Sequence, residues 1–197
     1  MNDLLQTNDA LGALRSATAR QHALLDADLP LSHADATLQD YCDHLCMLRA
    51  WLTPIEPWLA GFDDGPQGPA APAPVLRSSL INADLALPSM AQLPAGKRSP
   101  PFDAWPPGAS PAYRWGVCYV IEGVQLGGVV LYRRLAAQLA PHPLNYLKGG
   151  ADGPGPRWRA FTEALRAQLQ DSEEIAEACA GAGDAFDRIL ALRSLCR

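Results

Sequence analysis

The segment SPAYRWGVCYVIEGVQLGGVVLYRRLAAQL, residues 110–139, predicts one long and largely apolar helix. Ser110 suits the N-cap, because its hydroxyl can accept a hydrogen bond from a free N–H of the first turn. Pro111 suits the first helical position, where its missing N–H is no loss. We expect the other helices of the chain to pack around this one.

Glycines interrupt this helix and need a physical reason. Each interior glycine destabilises a helix by about 1 kcal/mol relative to alanine, yet Gly116 is followed by Gly123, Gly127 and Gly128. Positions 123 and 127 share one helix face and position 128 is adjacent, so the three form a continuous groove. Either a second helix packs closely there, or bare backbone lies against a flat ligand. Spacing alone favours neither explanation.

Composition and charge limit the class of protein. The 197 residues are 48% hydrophobic, enough for one well-buried core, and the formal net charge is -5. An acidic chain lacks the basic face that nucleic acids and anionic membranes require. No segment has eighteen uninterrupted apolar residues, and the N-terminus lacks the basic-then-apolar order of a signal peptide. We expect one domain over residues 1–197, in the cytoplasm, with no nucleic-acid or membrane partner.

The cysteines predict reduced, buried thiols rather than a disulfide framework. They are odd in number and form no C-x-x-C pair. Two of them, at positions 42 and 46, share a helix face, but two thiolates without further ligands are a weak basis for a metal site. The five are Cys42, Cys46, Cys118, Cys179 and Cys196.

A first helix is predicted over residues 10–27, with Asn8 or Asp9 as its N-cap. Steps of three and four place a stripe on the face turned to the core, formed by Leu11, Leu14, Thr18, His22 and Leu25. His22 is the one imidazole on such a stripe. Spacing alone favours a core histidine bonded to a backbone carbonyl over a ligand of a bound group.

Helices account for most of the remaining chain. A second helix starts at Thr37, where Asp40 completes a capping box, and Pro54 and Pro57 should kink or divide it near Thr53. Proline- and glycine-rich loops separate further helical segments over residues 75–85, 144–147, 157–169 and 172–195, the last with a capping box of Asp171 and Glu174. No period-2 alternation is long enough for a strand. The fold class is therefore all-α and multihelical.

No standard catalytic motif identifies the chemistry. The sequence lacks a Walker loop, HExxH, GxSxG and a GxGxxG that follows a strand. It does have a histidine on the first helix and a glycine-broken helix about a hundred residues later. A helical protein can use such parts to sandwich a planar macrocycle, with an imidazole on the iron from one side and bare backbone on the other.

Two segments resemble the heme oxygenase family. LRSATARQHALLD, residues 14–26, is similar to the proximal-helix motif of that family, and YVIEGVQLGGVVL, residues 119–131, is similar to the distal-helix motif of its bacterial branch. The order and separation of the motifs fit, as does a later W-x-x-F-x-x-x-L segment at residues 158–165. The sequence is most similar to the heme oxygenases that accompany bacterial phytochromes.

The resemblance implies roles for individual residues. His22 matches the proximal iron ligand, Asp26 an acidic residue near it, and Arg15 a basic position that pairs with a heme propionate. The distal glycines, whose backbone contacts heme and leaves room for oxygen, match Gly123, Gly127 and Gly128.

One position departs from the family pattern. The animal enzymes carry an aspartate after the first distal glycine, where it organises the water network over the oxygen, whereas this sequence has Val124. Phytochrome-linked relatives also lack that aspartate. Glu122 and Gln125 are nearby polar side chains that could replace it, although on a helix either could simply face solvent. The sequence does not choose between them.

The two propionates of heme need cations at the mouth of an otherwise apolar pocket. Arg15 is the preferred candidate, because it lies on the same helix as His22, two turns earlier and on nearly the same face. A second group of candidates lies on the later helix and consists of Arg157, Arg159 and Arg166.

The activity that the resemblance implies is oxidative ring opening of heme, which serves as both substrate and prosthetic group. O2 and an external electron donor would convert it to biliverdin, carbon monoxide and ferrous iron. The donor would be a reductase, a ferredoxin or a flavodoxin-type protein, and a phytochrome could receive the biliverdin. Two alternatives stay open: a heme-binding carrier or sensor without turnover, and a non-heme helical protein of the same broad fold.

Overall fold

The protein is built from helices. A computed structural model describes residues 9–27, 29–94, 104–150 and 153–195, and these ranges contain eight α-helices, two short 3-10 turns and no β-strand. The all-α prediction is therefore confirmed. The helices are α1 (Ala10–Ala27), α2 (Leu38–Leu59), α3 (Arg77–Leu85), α4 (Pro88–Ala91), α5 (Pro111–Leu135), α6 (Asn145–Lys148), α7 (Gly155–Gln168) and α8 (Ser172–Leu195).

Helix α5 is the central element, as expected. Ser110 caps it by accepting a hydrogen bond from the Tyr113 N–H at 3.1 Å. It packs along α8 and also contacts α6 and α7. A side chain at Gly116 would overlap the backbone of Ala178 on α8. Close helix packing is thus the reason for the first glycine of α5.

Helices α1 and α2 complete the core on α8. Helix α1 spans the predicted residues, and α2 begins with the predicted capping box, in which the Asp40 N–H donates to the Thr37 hydroxyl at 3.2 Å. Trp51 of α2 donates from its indole N–H to the carbonyl of Ala185 on α8 at 3.1 Å. The predicted cap of α8 also forms, with the Glu174 N–H 2.8 Å from Asp171 Oδ1. Local sequence signals therefore set these helix starts correctly.

Two predicted boundaries differ from the structure. Of the two alternatives expected at Pro54 and Pro57, a kink or a division, the division does not occur, because α2 runs through both prolines. Tertiary packing is the reason, because Trp51, Leu52 and Ile55 are buried on either side of Pro54 and hold the helix together where backbone hydrogen bonds are lost. Helix α5 ends at Leu135 instead of residue 139; the next five residues form turns, and Leu139 is buried from one of them.

Several other predictions concern the thiols and the termini. Cys42 is buried, while Cys46, Cys118 and Cys179 are half-buried, and all four are free thiols. The ranges that the structure describes contain no cluster of three or more potential metal ligands. Cys196 and the alternative N-cap Asn8 lie outside these ranges.

One helix of the described chain, α5, is long and apolar enough to cross a membrane, by length and composition alone. The core helix of a protein that spans no membrane can have the same length and apolar composition. Close packing of α5 along α8 accounts for its apolar character without a membrane.

Candidate active site

The residues singled out from sequence line a single cavity of about 1020 Å³. Helices α1, α2, α5, α6, α7 and α8 all contribute to its wall, which is mainly apolar with a few polar groups. That combination is typical of sites for small organic molecules and cofactors. The seven residues are Arg15, His22, Asp26, Gly123, Val124, Gly127 and Gly128.

The imidazole of His22 is accessible on the α1 wall. Its side chain is 65% exposed, and Nδ1 lies 3.0 Å from a carboxylate oxygen of Asp26, one helical turn away. The interpretation of His22 as a core histidine bonded to a carbonyl is therefore wrong. Leu11, Leu14 and Thr18 are buried as predicted. Further along the same face of α1, His22 lines the cavity instead of packing in the core, so the helical periodicity is kept although the side chain is not buried.

The position of Asp26 beside Nδ1 of His22 suits the imidazole to binding a metal through its other nitrogen. A carboxylate that accepts from Nδ1–H holds the imidazole in a fixed orientation and leaves the lone pair on Nε2. Such a nitrogen is suited to ligating a metal. The ring of Phe186 on α8 lies beside it, with centroids 6.1 Å apart.

Arg15 and Tyr119 form a polar corner of the cavity. Both residues line the wall, Arg15 from α1 and Tyr119 from α5. Burial raises the pKa of the Tyr119 hydroxyl, and hydrogen bonding and charge from Arg15 act against that rise. Arg15 therefore brings a cation and Tyr119 a hydroxyl to the same part of an otherwise apolar cavity, which is an arrangement that can bind an anionic group.

The three glycines in the middle of α5 differ in their surroundings. A Cβ atom added at Gly123 or Gly127 would meet no atom within 4 Å, so the bare backbone there faces open space at the cavity wall. A Cβ at Gly128 would lie 3.4 Å from the carbonyl oxygen of Leu147 on α6. Gly128 thus serves helix packing as well as the cavity, whereas helix packing does not explain the other two.

The polar neighbours of Val124 do not reach the cavity. Neither Glu122 nor Gln125 is part of its lining, and both side chains are buried rather than solvated. Gln125 donates from Nε2 to the Tyr146 carbonyl at 2.6 Å. The carboxylate of Glu122 lies 2.6 Å from Arg77 Nη2 and 2.9 Å from a guanidinium nitrogen of α7. Neither residue replaces an acidic group at position 124.

The second group of propionate candidates is not at the cavity. Arg157 pairs with Glu122 and donates to the carbonyl of Ala73 at 2.7 Å, so its guanidinium is used structurally. Arg159 and Arg166 are exposed and do not line the cavity. Of the propionate candidates only Arg15, the preferred one, lines the cavity, since helical periodicity does not tell a guanidinium that faces a ligand from one that joins two helices.

A buried polar cluster holds the α6 wall in place. The Asp84 carboxylate accepts hydrogen bonds from the Tyr41 hydroxyl at 2.6 Å, Asn145 Nδ2 at 2.9 Å and the Tyr146 N–H at 2.9 Å. Burial and the neighbouring Asp84 raise the pKa of Tyr41. Since α6 has only four residues, these contacts rather than helix propensity fix Tyr146 and Leu147 against the cavity.

His44 is the cavity residue that sequence reasoning undervalued. It lies one position off the apolar stripe of α2 and is not among the site residues proposed from the sequence, yet the wall contributed by α2 consists of His44, Met47 and Leu48. The i, i+3, i+4 spacing of these three was the available signal. Trp158 and Phe186 also belong to the wall.

Comparison with known proteins identifies a consistent family. The family model described as heme oxygenase matches residues 8–192. A curated heme oxygenase from Xanthomonas campestris pv. campestris (strain 8004) is 42% identical over 83 residues, which cover 41% of this chain and 50% of that protein. The chain therefore matches about half the length of this relative.

The fold also has a counterpart among solved structures. The NO- and CO-bound heme oxygenase from Neisseria meningitidis superposes with a TM-score of 0.68 over 95% of this chain and 91% of that one. The sequences are 23% identical. At that identity the likeness concerns the fold alone, and it agrees with the all-α architecture described above.

Proposed function

Since this chain belongs to the heme oxygenase family, we propose that it binds heme in the cavity and opens the ring with O2 and electrons from an external donor. The products are biliverdin, carbon monoxide and ferrous iron. Heme is then both the substrate and the prosthetic group. The match to half of a curated relative supports the family, and the argument for heme binding comes from the cavity.

The observation that carries the proposal is the set of groups that share the cavity. It combines an accessible imidazole held by a carboxylate, a cation beside a hydroxyl, and helix backbone without side chains. A flat apolar macrocycle with two carboxylates and one metal ion needs these three kinds of contact. A purely structural role would not explain why a Cβ at Gly123 or Gly127 has open space around it.

On this proposal each residue has a physical task. His22 Nε2 would ligate the iron, and Asp26 would keep the ring oriented through Nδ1. Arg15 and Tyr119 would bind a propionate and so limit rotation of the macrocycle. Bound heme supplies the iron that reacts with O2 and the ring that is oxidised.

The glycines and the apolar wall act by shape. Backbone at Gly123 and Gly127 lets α5 approach a flat ligand more closely than any side chain would allow. The surrounding apolar side chains keep bulk water away, which strengthens the electrostatic contacts made inside the cavity. Together they would restrict the space left for O2 on the α5 side.

A heme carrier or sensor without turnover is the second candidate. The observation in its favour is Val124, which places an apolar side chain in the cavity wall where the animal enzymes carry an aspartate. Binding of heme needs none of the proton delivery that turnover needs. Heme binding alone would therefore not distinguish the two functions.

The partners follow from the reaction. We infer a reductase, a ferredoxin or a flavodoxin-type protein as electron donor, because the chain itself has no motif for a nicotinamide or flavin cofactor. A phytochrome as recipient of biliverdin rests on the resemblance to phytochrome-linked enzymes. We also propose a cytoplasmic location with no nucleic-acid or membrane partner, which the acidic composition supports.

Titration of the protein with heme, followed by reduction in air, tests the proposal. An enzyme gives a shifted Soret band and then the absorption spectrum of biliverdin. A carrier or sensor gives the Soret shift and keeps its heme unchanged after reduction. No Soret shift would rule out both and leave a non-heme helical protein.

A further inference from the structure

The cavity wall on α2 carries one polar group that the proposed function leaves without a task. His44 lines the cavity together with Met47 and Leu48, on the same face of α2. The other two residues are buried and apolar, whereas the His44 ring is half-buried. An imidazole in an apolar wall is unfavourable unless one of its nitrogens finds a partner.

The hydrogen bonding of His44 is incomplete. Nδ1 is inaccessible to solvent and has no hydrogen-bond partner in the described part of the chain. Burial lowers the pKa of His44 to about 4, so at neutral pH the ring is uncharged and holds a single N–H. A proton on Nδ1 would be a buried donor without an acceptor, while a proton on Nε2 can be donated into the cavity. The surroundings therefore favour the Nε2–H tautomer.

Other polar groups of the wall have tasks already. Thr18 donates its hydroxyl to the Leu14 carbonyl at 2.7 Å. Burial raises the pKa of the Tyr146 hydroxyl, while the charge of Arg77 lowers it and that of Glu56 raises it; neither charged residue lines the cavity. Position 124 is valine, and the carboxylate of Glu122 is used in ion pairs. His44 thus brings to this wall a donor for which the described part of the chain shows no partner.

We propose that His44 presents Nε2–H to a small ligand or water held in the cavity, a polar contact that Val124 cannot make. This inference rests on the proposed function, because the ligand in question is the one next to the iron of bound heme. His44 acts here by hydrogen bonding, and no covalent step is assigned to it.

Carbon monoxide bound to the ferrous heme complex is a suitable probe. A hydrogen-bond donor near its oxygen increases electron donation from iron into the C–O bond and lowers the C–O stretching frequency. The variants are His44→Leu, which removes the donor, and His44→Gln, which keeps an N–H donor on a side chain of similar reach. His33→Leu removes an exposed histidine outside the cavity lining and is the matched control.

We expect the C–O stretch to rise in His44→Leu, to return toward the wild-type value in His44→Gln and to stay unchanged in His33→Leu. Thermal melting of each apo variant checks that the fold is kept. An unchanged stretch in folded His44→Leu would overturn the inference and leave the proposed function intact. So would a larger shift in Tyr146→Phe than in His44→Leu, which would assign the contact to α6.

Two further outcomes also count against the inference. A wild-type ferric complex with two histidine ligands, reduced to one in His44→Leu, would make His44 a second iron ligand instead of a hydrogen-bond donor. Failure of the wild-type protein to bind heme at all would overturn the proposed function together with this inference. The Soret titration of the wild-type protein distinguishes that case from the others.

Discussion

The imidazole of His22 and the carboxylate of Asp26, one helical turn away, form an exposed pair that contributes little to the packing of the core. Replacement of His22 by alanine should therefore leave the fold and the melting temperature almost unchanged, because the side chain is 65% exposed. The heme complex should lose its histidine-ligated spectrum and its turnover, and added imidazole should restore part of the spectrum. His33→Ala, at an exposed histidine away from the cavity, is the control. An unchanged heme spectrum in His22→Ala would exclude His22 as the ligand.

Arg15 is the cation that the cavity places beside Tyr119, and a propionate contact there would fix the rotation of the macrocycle. Rotation decides which meso carbon faces O2. We expect Arg15→Glu to weaken heme binding and to broaden the mixture of biliverdin isomers, measured by chromatography of the products. Arg20→Glu reverses a charge on the same helix outside the cavity lining and should do neither. Equal affinity and an equal isomer ratio in the Arg15 variant would return Arg15 to the solvated surface.

At the scale of elements, α5 contains glycines with two different functions. Gly127→Ala should stabilise the apo-protein by up to about 1 kcal/mol, since a Cβ there meets no atom and alanine favours helix. Gly127→Leu should weaken heme binding strongly with little loss of stability, because its side chain enters the cavity. Gly116→Ala, in contrast, should destabilise by at least about 1–3 kcal/mol through overlap with α8.

Urea unfolding and heme titration of these variants separate the two functions. If Gly127→Leu lowered stability and left heme affinity unchanged, helix packing would be the reason for this glycine too. A Gly116→Ala variant as stable as the wild type would contradict the close approach of α5 to α8.

Glu122 joins three helices through one buried carboxylate. It pairs with Arg77 of α3 and Arg157 of α7, and Arg77 is 5% exposed. Glu122→Gln would leave a buried guanidinium without its counter-charge, so we expect a loss of about 3–5 kcal/mol in the free energy of unfolding. Glu163→Gln changes an exposed carboxylate of α7 and should lie within about 0.5 kcal/mol of the wild type.

Heme affinity per folded molecule should change little in Glu122→Gln, because Glu122 is outside the cavity lining. A stable variant that had lost heme chemistry would instead make Glu122 a functional residue. The two results are distinguished by denaturant unfolding of the apo-protein and heme titration of the same sample.

At the scale of the whole molecule, the sequence predicted the positions of helices better than it predicted how their residues pack against the rest of the protein. Helix starts were correct wherever a cap made them local, as at Thr37, Ser110 and Asp171. The C-terminal end of α5 was predicted wrongly, and the possible division of α2 does not occur, because both depend on tertiary packing that outweighs proline and turn signals. Helical class and order followed from patterns within single elements, which is why they could be predicted.

At the candidate site, too, the sequence predicted helix faces correctly but not the neighbours of individual side chains. Periodicity correctly placed His22 on the inner face of α1. It could not show whether the side chain is buried in the core or lines the cavity, because residues of that face do both. It also gave no reason to single out His44, and it kept arginines of α7 as candidates although they do not line the cavity. Which polar group faces a cavity and which joins two helices depends on neighbours distant in sequence, such as Glu122 for Arg157.

The central claim is that this protein uses O2 to open the heme held between its helices. Single turnover of the heme complex under ¹⁸O2, followed by mass spectrometry of the released pigment, tests it most directly. We predict biliverdin with both terminal lactam oxygens labelled from O2 in the wild-type protein and no such product from His22→Ala. Recovery of unchanged heme from the wild-type protein, or of a pigment whose oxygens come from water, would contradict the claim.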